Sequence, residues 1–120
     1  MNVVSQTVAS VMVIGLQGDL DSRSAAAAQE QILALLPAGE RVLIDLSGVP
    51  YVSSAGLRIM LLIYRQAQCI DSSVALVGLS DELRSVMSAT GFLGFFTVAD
   101  GLAAGLRALG AAEPVRSGAA

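Results

Sequence analysis

The sequence holds no histidine. That one absence removes Ser-His-Asp and Cys-His catalysis, histidine-ligated metal sites and histidine-based pH switching. It also weighs against reading any serine as a hydrolase nucleophile. Lysine is absent too: the seven basic residues are all arginine (Arg23, Arg41, Arg58, Arg65, Arg84, Arg107 and Arg116), and they never cluster. Nucleic-acid binding needs a basic stripe that displaces counterions from phosphates, and a polybasic membrane anchor needs the same concentration of charge. Neither is expected from scattered arginines at a net charge of −3. Cys69 is the single cysteine, so no disulfide forms within the chain and a reducing, cytoplasmic setting is expected.

Long hydrophobic runs are missing as well. The longest uninterrupted apolar stretch covers residues 59–64, far short of the ~20 residues that cross a bilayer. Met1-Asn2-Val3-Val4 has no basic segment ahead of an apolar one, so no secretory signal is expected there. No Gly-x-x-x-x-Gly-Lys loop or comparable phosphate cradle occurs. No cofactor, no metal and no enzymatic activity are expected.

What the chain has is apolar mass. Of 120 residues, 54% are hydrophobic and 14% charged, a balance that favours one folded domain over disorder. Small residues and Pro114 end the apolar periodicity after about Leu109, so a domain over residues 1–110 and a flexible C-terminal tail over 111–120 are expected.

Before that tail, strand and helix signals alternate. Residues 3–8 predict an edge strand, and 11–16 a more buried one ending at Gly18-Asp19. Asp21 or Ser22 predicts the cap of a helix running through the alanines to Leu36, with Ile32, Leu33 and Leu36 on one face. Residues 41–46 are short, apolar and partly β-branched, the pattern of a central strand covered on both faces. A helix follows from Ser54 to about Cys69, with Leu57, Met60, Leu61 and Tyr64 on its buried side. Then come a strand over 74–77, a helix capped by Ser80 and closed at Thr90-Gly91, a strand over 95–98 and a helix over 100–109. The order β-β-α-β-α-β-α-β-α predicts an α/β sandwich with a mixed, mostly parallel sheet of about five strands and four helices. Whether helices cover one face or both is open at this point.

The most informative stretch runs from Asp45 to Leu57: a strand end, a turn, two hydroxyls, then a helix whose first turn is built from small residues. Ligands of open α/β sheets gather at the carboxyl ends of strands, where free helix amides suit a negative group. A serine before a helix is ordinarily an N-cap. Here Ser53 and Ser54 exceed what one cap needs, and Ala55-Gly56 weakens the first turn while leaving room for a partner's close approach. Asp45 reads as a group that satisfies turn amides, and Met60 and Tyr64 read as core.

This stretch resembles the STAS domain of anti-sigma factor antagonists. Their pattern is an apolar strand ending in Asp-Leu-Ser-x-Val, a short turn, and then Asp-Ser-Ser/Thr/Ala-Gly-Leu opening a helix. Asp45-Leu46-Ser47-Gly48-Val49 and Ser54-Ala55-Gly56-Leu57 fit it, and Gly18-Asp19-Leu20-Asp21 matches the Gly-x-Leu-Asp after the second strand. The segment from Gly91-Phe92 through Leu106 resembles the family's closing strand and helix. The resemblance implies an anti-anti-sigma factor that switches partners. It binds an anti-sigma factor with serine kinase activity and is released when a serine at the start of the second helix is phosphorylated. A PP2C-type phosphatase resets it. Counted from Gly56, the phosphoacceptor is Ser54; Ser53, standing where the family commonly has Asp, is the second choice. The implied partner surface is Asp19, Asp21, Ser53, Ser54, Ala55, Gly56, Leu57 and Arg58. The alternative is a STAS subunit of a transporter or other regulatory complex that acts without phosphorylation.

Overall fold

Ala9 and Ser10 both take left-handed backbone, at φ 52° and 65°. Two successive positive φ values give the turn whose twist matches paired strands. They close a hairpin between β1 (Asn2–Val8) and β2 (Val11–Gln17), with Val8 opposite Val11. In the computed structural model, which describes residues 1–110, the chain continues as α1 (Ala25–Leu35), β3 (Arg41–Gly48), α2 (Ser54–Cys69), β4 (Ser73–Val77), α3 (Asp81–Thr90), β5 (Thr97–Ala99) and α4 (Leu102–Ala108). The tail expected over residues 111–120 lies outside the described residues.

The expected element order is the observed one. The five strands stand in the order β1-β2-β3-β4-β5, with β1 antiparallel to β2 and every other pair parallel. Each crossover moves one strand position in the same direction, so crossovers of one hand put α1, α2 and α3 on one face of the sheet. Alternation along the strands divides the core accordingly. Ile14, Leu16, Val42, Ile44, Leu46 and Leu76 face those three helices and meet Ala28, Ile32, Met60, Ile63 and Met87. Val11, Val13, Leu43 and Val77 point the other way and meet Leu106 and Leu109, carried by and just after α4. The sheet therefore has three helices on one face and one short helix on the other. β3 is buried on both faces, as its unbroken apolar run predicts.

Several boundaries differ from expectation. α1 starts at Ala25, with Ser24 rather than Asp21 or Ser22 at the cap position. The carboxylate of Asp21 is spent one turn earlier, accepting the amides of Arg23 (2.9 Å) and Ser24 (3.3 Å), which holds residues 21–24 in a turn ahead of the helix. Phe95 ends a single 3-10 turn (Phe92–Phe95), so β5 begins at Thr97. There Phe95 and Phe96 pack on Tyr64 at centroid distances of 5.6 and 5.4 Å. Tyr64 is consequently half-buried, as is Leu61, and the buried stripe of α2 is centred on Ile59, Met60, Ile63 and Ala67.

Candidate functional site

Parallel strands deliver their following loops to one end of a sheet, and here the loops after β2 and β3 are bonded to each other. The amide of Gly18 donates to the carbonyl of Gly48, that of Leu20 to Tyr51, and that of Ser53 to Leu20, all at 2.9 Å. Leu20 and Val52 form an isolated parallel bridge. A register shift makes this closure possible: Gly15 pairs with Asp45 but Gln17 pairs with Gly48, so β3 carries extra length where the loops meet. Asp45 accepts the amide of Ser47 at 2.9 Å, the turn role its position predicts. The rim residues Asp19 and Asp21 are thereby held beside the start of α2.

Ser53, not Ser54, is the cap of α2. Its backbone is extended (φ −84°, ψ 177°), its Oγ accepts the amide of Gly56 at 3.4 Å, and its carbonyl accepts that of Leu57 at 2.9 Å. Ser54 is the first helical residue. It is exposed, and its hydroxyl makes no hydrogen bond among the described residues. At the helix start the amides of Ser54 and Ala55 have no intrahelical acceptor, and the positive end of the helix dipole lies beside them. Arg58, four residues on, lies on the same side of the helix; it is exposed and makes no ion pair among the described residues.

Gly56 serves the interior rather than a visitor. A Cβ there would overlap the carbonyl oxygen of Leu20 and come within 2.8 Å of Val52 Cγ1 and 2.9 Å of Leu20 Cγ. Leu57 is buried too. Of the expected partner surface, then, Asp19, Ser54 and Arg58 are exposed, Asp21, Ser53 and Ala55 are half-buried, and Gly56 and Leu57 lie inside.

The acidic rim is structured. Ser24 Oγ donates to the carbonyl of Asp19 at 2.7 Å, and Arg23 pairs with Asp21 at 3.4 Å. The amide of Arg23 holds the Asp21 carboxyl below the usual aspartate range, aided by the amide of Ser24 and the Arg23 guanidinium against partial desolvation. A shallow groove of about 100 Å³ runs between the turn after β3 and α3, lined by Val49, Pro50, Tyr51, Val52, Ser80, Glu82, Leu83 and Val86. Tyr51 is 56% exposed and Val86 44%. Sequence reasoning passed over this groove. The available signal was an aromatic residue inside a proline-containing turn, where burial has no ready means.

Among the described residues no group of three or more histidine, cysteine, aspartate or glutamate side chains is placed to hold a metal ion. No helix among them is long and apolar enough to cross a membrane.

Comparison with known proteins gives this arrangement its family. The STAS domain family model matches residues 2–105. BtrV of Bordetella bronchiseptica, named as a candidate anti-sigma factor antagonist, is 32% identical over 115 residues, which cover 95% of this chain and 99% of that protein. The crystal structure of a candidate anti-sigma factor antagonist from Thermotoga maritima shares the fold at a TM-score of 0.80 and 15% identity, over 89% of this chain and 93% of that one. So does part of the murine anion transporter Slc26a9, at 0.78 and 16%, over 89% of this chain and 19% of that one. The chain belongs to the STAS domain family.

Proposed function

We propose that this protein is an anti-sigma factor antagonist whose binding to an anti-sigma factor with serine kinase activity is switched off by phosphorylation of Ser54. The observation that carries the reading is the division of labour between the two serines. Ser53 is half-buried and its hydroxyl is engaged as the helix cap, whereas Ser54 is exposed and its hydroxyl makes no hydrogen bond among the described residues. A kinase reaches the second without dismantling the helix start. BtrV, similar over nearly the whole of both chains, carries the same functional name.

The switch is electrostatic. A phosphate adds about −1.5 to −2 charges. The free amides at the start of α2 and the Arg58 guanidinium stabilise it within the protein. A partner fitted to a neutral hydroxyl, between the acidic rim and the groove at Tyr51, meets charge and bulk at the centre of its contact. A PP2C-type phosphatase restores the binding form. The protein performs no chemistry of its own. The transporter-subunit alternative draws on a likeness of fold alone and has no residue-level support in this site.

The test is incubation with the partner kinase and ATP, followed by intact mass, phosphopeptide mapping and binding measurements on wild type, Ser54→Ala and Ser54→Asp. One added phosphate on Ser54, retained binding by Ser54→Ala and weakened binding by Ser54→Asp are expected. An unchanged mass together with full binding by Ser54→Asp sinks the reading.

A further inference from the structure

The two edges of the sheet are not alike. β5 is 3 residues long and is followed by Asp100, which pairs with Arg84 at 3.7 Å. Brevity and charge are the usual protections of an edge against pairing with other chains. β1 has neither. It runs for 7 residues, Asn2–Val8, with no charge and no proline, in unbroken register with β2. Val4 near its centre is 51% exposed.

The hairpin fixes which backbone groups face outward. Val8 and Val11 flank its turn and so exchange both of their hydrogen bonds. Alternation then makes Gln6–Val13, Val4–Gly15 and Asn2–Gln17 the other bonded pairs. Val3, Ser5 and Thr7 are left with N–H and C=O directed away from β2, out of the edge.

We propose that this edge pairs with β1 of a second copy of the chain, antiparallel about a twofold axis at Ser5, joining two sheets into one. Ser5 then faces the partner's Ser5, and Val3 faces the partner's Thr7. Every outward N–H and C=O of Val3, Ser5 and Thr7 gains a partner. Between them Val4 lies opposite the partner's Gln6, and Asn2 opposite the partner's Val8. No crossing brings two charges together, so two molecules of net charge −3 meet along a neutral line. Symmetry favours a second copy over a foreign strand. The outward-bonding residues are disposed evenly about the middle of β1, so self-complementary pairing wastes none of them. The pairing does not use Ser54 and does not depend on the function proposed above.

Sedimentation equilibrium over a concentration series from low to high micromolar should show the average mass rising from monomer towards dimer. Ser5→Pro removes an outward N–H without touching the ladder to β2, a place where edge strands tolerate proline. Ser5→Lys sets two like charges face to face. Each should weaken dimerisation by about tenfold or more, with circular dichroism unchanged. In a Cys69→Ser background, Ser5→Cys should form a disulfide-linked dimer under mild oxidation, because directly bonded residues stand at about 5.5 Å between Cα atoms. Gln6→Cys, which faces the partner's Val4, should not. A chain that stays monomeric throughout overturns the proposal. So does dimerisation undiminished in both Ser5→Pro and Ser5→Lys, or crosslinking by Ser5→Cys no faster than by Gln6→Cys.

Discussion

The carbonyl oxygen of Leu20 occupies the space that a Cβ on Gly56 would need, while accepting the amide of Ser53 at 2.9 Å. One main-chain atom thus joins the acidic loop to the hydroxyl-bearing helix start. In Gly56→Ala, alanine's better helix propensity (~1 kcal/mol) is set against a clash with backbone that has nowhere to rotate. The clash wins: urea unfolding should report a net loss of about 2 kcal/mol. An unchanged or raised midpoint would mean the loops are not locked together here.

The two serines should separate cleanly on stability. Ser53→Ala removes a cap and should cost about 1 kcal/mol. Ser54→Ala removes an exposed hydroxyl that has no partner among the described residues and should fall within about 0.5 kcal/mol of wild type. Chemical denaturation of both variants beside wild type decides it, and the reverse order would reassign the cap.

Acid should weaken the rim in a definite window. Asp21 has a folded pKa below its unfolded value, so its contribution to stability is present above the unfolded aspartate pKa of about 3.9 and is lost as pH falls through the folded value. Denaturant midpoints of wild type and Asp21→Asn, taken from about pH 6 down to about pH 2.5, should converge on acidification. A gap that persists at the acid end would show that the carboxylate charge is not what holds the turn.

Tyr51 should matter to binding and hardly at all to folding. More than half exposed on a turn, it can be cut to alanine for about 0.5 kcal/mol or less. If the groove at Tyr51 is part of the partner surface, Tyr51→Ala should weaken binding to the anti-sigma factor by about tenfold, the range of a central aromatic contact. Calorimetric titration of folded variant into partner measures this directly.

Gly105 offers a contrast with Gly56. A Cβ there would meet Leu43 Cδ1 at 2.5 Å and Val77 Cγ1 at 2.7 Å, both side-chain methyl groups. Methyl groups yield where a carbonyl does not, so Gly105→Ala should cost about 1 kcal/mol, at the low end for an overpacked site. The loosened contact should appear as faster amide exchange confined to α4.

Much of this was legible in the sequence because its signals are long and mutually consistent. The β-branched runs, the alternation of strand with helix and the Ser80 and Gly91 boundaries each survive in the structure. What was not legible turns on single dihedral angles or contacts distant in sequence. Whether Ser53 or Ser54 caps α2 depends on which residue leaves the helical region first. Whether Asp21 or Ser24 precedes α1 depends on which amides the carboxylate claims. Gly56 reads equally well as an opening for a partner or as room for a neighbouring loop until Leu20, far away in the chain, is placed against it. The side of the sheet on which α4 rests follows no crossover rule, because no described strand comes after it.

The order of strands across the sheet is also their order along the chain. No strand has to insert between two neighbours already in place. As the chain leaves the ribosome, each new segment meets an edge completed a moment before, and assembly can keep pace with synthesis from β1 onward. Until β5 and α4 arrive, the nascent sheet ends at β4 with an open parallel edge. The last stretch of the domain, with its short strand and its clustered phenylalanines, therefore closes a surface that would otherwise stay adhesive during translation.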